Sequence, residues 1–86
     1  MQVKRLVLDV LIPQEPPVLA FAEKISDLDN VDGVTIHVSE IDERTKSVEM
    51  AIEGEDLSIE DISREIENLG GSVHSIDSVS VGSRII

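Results

Sequence analysis

Eighty-six residues with no cysteine, a single aromatic side chain (Phe21) and 18 Asp and Glu against 7 Lys and Arg describe one small acidic domain, residues 1–86, with a formal net charge of -11. The missing thiols exclude a disulfide scaffold, a thiolate nucleophile and a cysteine-based zinc or iron-sulfur site, and the acidic field, which repels phosphate backbones, argues against nucleic acid as a partner. No signal peptide or membrane span is visible, since the longest apolar run, residues 6–12, is short and interrupted by Asp9, so the expected setting is cytoplasmic.

In chain order, residues 4–13 predict a strand that is apolar on both faces, with Leu6, Leu8, Val10 and Ile12 on one and Val7, Asp9 and Leu11 on the other. Such a strand belongs in the middle of a sheet. Pro13, Pro16 and Pro17 then stop the ladder, and Pro17 suits the first position of a helix running to about Asp29, with Val18, Phe21, Ala22, Ile25 and Leu28 turned inward. Gly33 is the expected left-handed or close-approach residue of the following turn. Residues 34–41 and 47–53 alternate as a hairpin around a polar turn at residues 42–46, with Val48, Met50 and Ile52 inward and Glu49, Ala51 and Glu53 outward.

The second helix carries fuller start signals. Ser58 is a candidate N-cap with Asp61 three residues on, Leu57 and Ile62 form a hydrophobic staple, and Gly70-Gly71 is the stop. Its buried stripe is Ile59, Ile62, Ile66 and Leu69. In the last strand, residues 73–81, the apolar positions Val73, Ile76 and Val79 recur every third residue, which predicts an edge strand with a bulge. The order strand, helix, strand, strand, helix, strand with right-handed crossovers gives an α+β fold, a ferredoxin-like βαββαβ sandwich whose antiparallel sheet has order 4-1-3-2 and both helices on one face.

The residues also resemble a known family. Residues 4–11 (KRLVLDVL), Glu15-Pro16, Val31-Asp32-Gly33-Val34, Glu40-Ile41-Asp42, Ile52-Glu53-Gly54 and, most specifically, residues 69–77 (LGGSVHSID) look like archaeal domain-of-unknown-function family two hundred and eleven. The resemblance spans essentially the whole chain. It implies a ferredoxin-like fold assembled into ring-like homo-oligomers, an archaeal cytoplasmic setting and calcium as a candidate ligand, with no established activity and no required cofactor.

Several functions of this fold fail on their required residues. RNA recognition needs stacking aromatics where Val7, Asp9, Leu11, Glu49, Ala51 and Glu53 stand. The segment after the first strand has neither the cysteine pair of a copper chaperone nor the arginine loop of an acylphosphatase. Asp27, Asp29 and Asp32 mimic the start of a calcium loop, but the third acid and Gly33 come one residue late and no closing Glu follows. His37 and His74 fall on opposite edge strands, about 14 Å apart, so one protomer cannot bring both to one zinc ion.

Asp9 is the sharper case, because a carboxylate in mid-strand on the helix-free face must stay wet, pair, or bind a cation. Glu49 or Glu53 lies within reach on the third strand, with no Lys or Arg expected nearby. The candidate metal set is therefore Asp9, Glu49 and Glu53, with Glu55 and Asp56 as fallback, against the plainer reading of solvated acids. A second acidic cluster, Glu40, Asp42 and Glu43, reads first as a solvated turn. Val7, Leu11, Ala51, His74 and Asp77 are the candidate ligand or interface residues. Two functions follow: a non-enzymatic oligomeric binding or regulatory module that takes calcium or a small ligand at subunit interfaces, or a small enzyme with an inter-subunit site around Asp9 and His74. The first is favoured, because no nucleophile with an activating base, phosphate loop or oxyanion arrangement is present.

Overall fold

Leu6, Leu8, Val10 and Ile12 are almost completely buried, as side chains two residues apart on one face of a central strand should be. The computed structural model describes residues 2–86 and places these four side chains on β1 (Val3–Pro13), which is followed by α1 (Val18–Ser26), β2 (Val31–Ile41), β3 (Thr45–Gly54), α2 (Ile59–Asn68) and β4 (Ser72–Val81). The strands form one antiparallel sheet of order β2-β3-β1-β4. This is the expected α+β, ferredoxin-like order, read from the other edge. One face of the sheet, through the β1 side chains and Val48, Met50 and Ile52 of β3, shares a single core with Phe21 and Ile25 of α1 and Ile62 and Ile66 of α2. Among the described residues no helix packs on the opposite face. Among the described residues no helix is long and apolar enough to cross a membrane.

Both helices are short, so their ends decide much of their stability. In α2 the Asp61 backbone N–H donates to Ser58 Oγ at 3.2 Å, as the cap reading expects. At the other end the Gly71 N–H donates to the Ile66 carbonyl at 2.9 Å and the Gly70 N–H to that of Glu67 at 3.0 Å, with Gly70 left-handed at φ 93°. That pair of bonds is the Schellman closure. Helix α1 ends earlier than its apolar spacing suggests, at Ser26 rather than Asp29, and Pro17 stands just before its first residue. Ser26 Oγ donates to the Glu23 carbonyl at 2.8 Å, and the Leu28 N–H donates to Ile25, so the chain tightens into a turn while Leu28 still packs on the core.

The turn into β2 corrects the expectation for Gly33. Asn30 takes the left-handed conformation at φ 74°, and β2 already begins at Val31, with Gly33 inside it at a register shift. A short polar side chain tolerates that backbone region, so glycine was not required there. The glycine with a steric duty is Gly54. A Cβ built on it would lie 1.9 Å from the Asn30 carbonyl oxygen, which also accepts the Glu55 N–H. The end of β3 and the α1–β2 turn are therefore in backbone contact.

The period of three in β4 has a geometric cause. Val73, Ile76 and Val79 stand opposite Val10, Leu8 and Leu6, which are spaced by two, so β4 carries one extra residue in each interval: His74 in one, Asp77 in the other. The expected single bulge is two.

Two substitutions test these joints by chemical denaturation. Ser58→Ala is expected to lower stability by about 1 kcal/mol through loss of the cap. Gly54→Ala is expected to cost about 3 kcal/mol or more, because the Asn30 backbone must move and its hydrogen bond with it.

Candidate functional site

Directly opposite residues of antiparallel strands project from the same face, so the register lays rows of side chains across the open face. One row runs His37, Glu49, Asp9 and Ser75, from β2 through β3 and β1 to β4. The next contains Thr35, Ala51, Val7 and Ser78, and the one beyond it Gly33, Glu53, Arg5 and Ser80.

Asp9 and Glu49 face each other directly, as the composition of the two strands suggested. Glu53 does not join them. It stands two rows away opposite Arg5, whose Nε lies 3.5 Å from Glu53 Oε2. Arg5 was overlooked because it lies outside the apolar run of β1, yet its parity puts it on the open face. Lys4 likewise pairs with Glu55, and Asp56 sits in the following bend with φ 53°, so the fallback acids have a local cation and a turn role of their own. Among the described residues no three His, Asp or Glu side chains gather closely enough to hold a metal ion. The acidic hairpin turn has its backbone engaged as well, with Gln14 Nε2 donating to the Asp42 carbonyl at 3.0 Å.

His37 and His74 lie on opposite edges of the sheet, as expected. His74 is the extra residue of its bulge and borders a shallow depression of ≈ 200 Å³ together with Asp9, Leu11 and Ser47. Asp77, the extra residue of the second bulge, accepts a hydrogen bond from Ser75 Oγ at 2.6 Å. The apolar interface candidates are less exposed than the alternation implies. Val7 keeps only 9% of its surface and Ala51 is half-buried, which leaves Leu11, at 41%, as the exposed member. Leu19 of α1 at 68% and Ile41 of β2 at 67% are more exposed, and on β4 so are Ile76 at 52% and Val79 at 55%. Sequence reasoning missed the β4 pair as surface groups, although their period of three was the available signal.

The model of the family DUF211, described as uncharacterized ArCR, matches residues 4–86. The chain belongs to DUF211. An uncharacterized protein of Methanocaldococcus jannaschii is 48% identical over 84 residues, which cover 98% of this chain and 87% of that one. The resemblance read from residues 69–77 and the β1 segment thus holds across the chain. DUF211 is an archaeal family with no assigned activity, and the chemistry of the open face carries the functional reading.

For this DUF211 chain the facing acids make a direct prediction. Like charges directly opposite on neighbouring strands are destabilising. In the presence of a chelator, Glu49→Lys is expected to raise stability by about 0.5 kcal/mol, measured by urea denaturation, because it replaces a repulsive cross-strand pair by an attractive one.

Proposed function

We propose that the protein is a non-catalytic, homo-oligomeric binding module that holds a divalent cation, calcium by its preference for oxygen ligands, at the Asp9–Glu49 pair. The observation that supports this reading is the register itself, which sets two carboxylates face to face at the centre of a sheet face that no helix covers. A hard cation between them relieves the repulsion that the pair otherwise imposes on β1 and β3. With two carboxylates from one protomer, the remaining ligands come from water or from a second copy, which ties cation binding to assembly. The cytoplasm and an archaeal host are the setting this reading assumes.

The competing reading, an inter-subunit enzyme around Asp9 and His74, gains one observation, since both residues border the same depression. Its chemistry is incomplete. The serine hydroxyl next to His74 in sequence, Ser75, donates its hydrogen bond to the Asp77 carboxylate and not to His74, so the histidine has no nucleophile to activate there.

The test is thermal unfolding in millimolar calcium against sodium chloride of equal ionic strength, since screening follows ionic strength whereas a ligand of the folded state stabilises as RT ln(1 + [L]/Kd). Calcium is expected to raise Tm beyond matched sodium, and Asp9→Asn to remove the difference. A rise that survives in Asp9→Asn and disappears in Asp56→Asn would place the ion at the Glu55–Asp56 bend instead. Equal shifts in the two salts would leave the acids as a solvated surface.

A further inference from the structure

Among the described residues no strand pairs with the outer edge of β4, and the side-chain pattern along it has an internal symmetry. Reading the faces from the register with β1, Ser72, Ser75, Ser78 and Ser80 oppose the open-face residues Leu11, Asp9, Val7 and Arg5, while Val73, Ile76 and Val79 oppose the core residues Val10, Leu8 and Leu6. The two extra residues also belong to the open face, His74 beside Asp9 at the depression and Asp77 through its hydrogen bond to Ser75. From Ser72 to Ser80 the sequence of faces is the same in both directions, with Ile76 at its centre.

From this we infer that β4 pairs antiparallel with β4 of a second copy, about a two-fold axis through Ile76, joining two sheets into one. The inference rests on the homo-oligomer reading above and names its interface. Under that axis Ile76 meets its own mate, Val73 meets Val79, Ser75 meets Asp77, His74 meets Ser78 and Ser72 meets Ser80, and each pair lies on one face. A regular strand finds no such match, because it must leave two β4 residues unpaired, as β1 does. Bulges ordinarily protect an edge from foreign strands. Here the open-face pairs His74-Ser75 and Asp77-Ser78 mirror each other about Ile76, so the strand that fits them is another β4.

Burial and charge point to the same occupant. Ile76 and Val79 are more than half exposed, and α2, the helix beside β4, does not cover them. Residues 72–86 contain one acid and one base, Asp77 and Arg84, so the whole net charge of -11 rests on the chain before Ser72. Two strongly acidic copies approach most easily along their uncharged strip. The acids elsewhere still repel at longer range, which makes the pairing stronger as salt rises. The axis also extends the functional row, since Asp77 of the second copy falls opposite Ser75, in line with Asp9, Glu49 and His37.

A chain without cysteine gives clean single-cysteine variants. Ile76→Cys is expected to form a disulfide-linked dimer on mild oxidation, since residues opposite each other lie about 4.5–5.5 Å apart between Cα atoms, within disulfide range. Val73→Cys and Val79→Cys are expected to cross-link when mixed and not when alone. Ile76→Lys, at an exposed position and checked for folding by circular dichroism, is expected to weaken self-association roughly tenfold or more by light scattering across a concentration series. Absence of the Ile76→Cys dimer, or wild-type mass in Ile76→Lys, overturns this interface while leaving the homo-oligomer reading standing. A wild-type chain that stays monomeric at every concentration overturns both.

Discussion

The structure depends on burying one face of β1. Leu6, Leu8, Val10 and Ile12 are hydrogen-bonded into the sheet on both sides, through β3 and β4, and covered by α1 and α2. With Phe21 the only aromatic and no disulfide, the interior is built from branched aliphatic chains whose fit depends on strand register. Register is therefore the quantity everything else inherits. It fixes which residues meet on the open face, and it sets two acids of the chain, Asp9 and Glu49, face to face.

Electrostatics in this molecule is mostly unpaired. Lys4–Glu55, Arg5–Glu53 and Arg64–Asp61 are the ion pairs among the described residues, and each has a partner well exposed to solvent, so they contribute little to stability individually. Two of them still matter locally, because they give Glu53 and Glu55, already set apart from the Asp9–Glu49 pair by the register, cations of their own. Seven basic side chains cannot neutralise eighteen acids, and the excess is spread over turns, helix surfaces and strands, Asp9 and Glu49 among them.

Much of the fold was legible because several short-range signals agreed. Period-two alternation located the β2–β3 hairpin, Ser58 with Asp61 located the start of α2, Gly70-Gly71 its end, and the two-sided apolarity of β1 placed that strand inside the sheet. What escaped was set by tertiary geometry. Asn30 rather than Gly33 takes the left-handed position because β2 pairs from Val31 onward, and Gly54 is indispensable only because a distant carbonyl approaches it. At the site, strand parity put Asp9, Glu49 and Glu53 on one face, and the register then selected Glu49 as the partner of Asp9. The Arg5–Glu53 pair and the near-burial of Val7 required the exact row of neighbours, which parity alone does not supply.

The bulges of β4 have a mutational corollary. Removing His74 and Asp77 from the strand leaves Ser72, Val73, Ser75, Ile76, Ser78, Val79 and Ser80, a regular alternation that matches β1 without interruption. A deletion within either open-face pair, His74-Ser75 or Asp77-Ser78, therefore turns no other side chain over, whereas a deletion of Val73, Ile76 or Val79 turns a polar residue onto the core face. Pairing with β1 does not need the extra residue of either bulge, so what His74 and Asp77 add lies on the open face and at the outer edge rather than in the core.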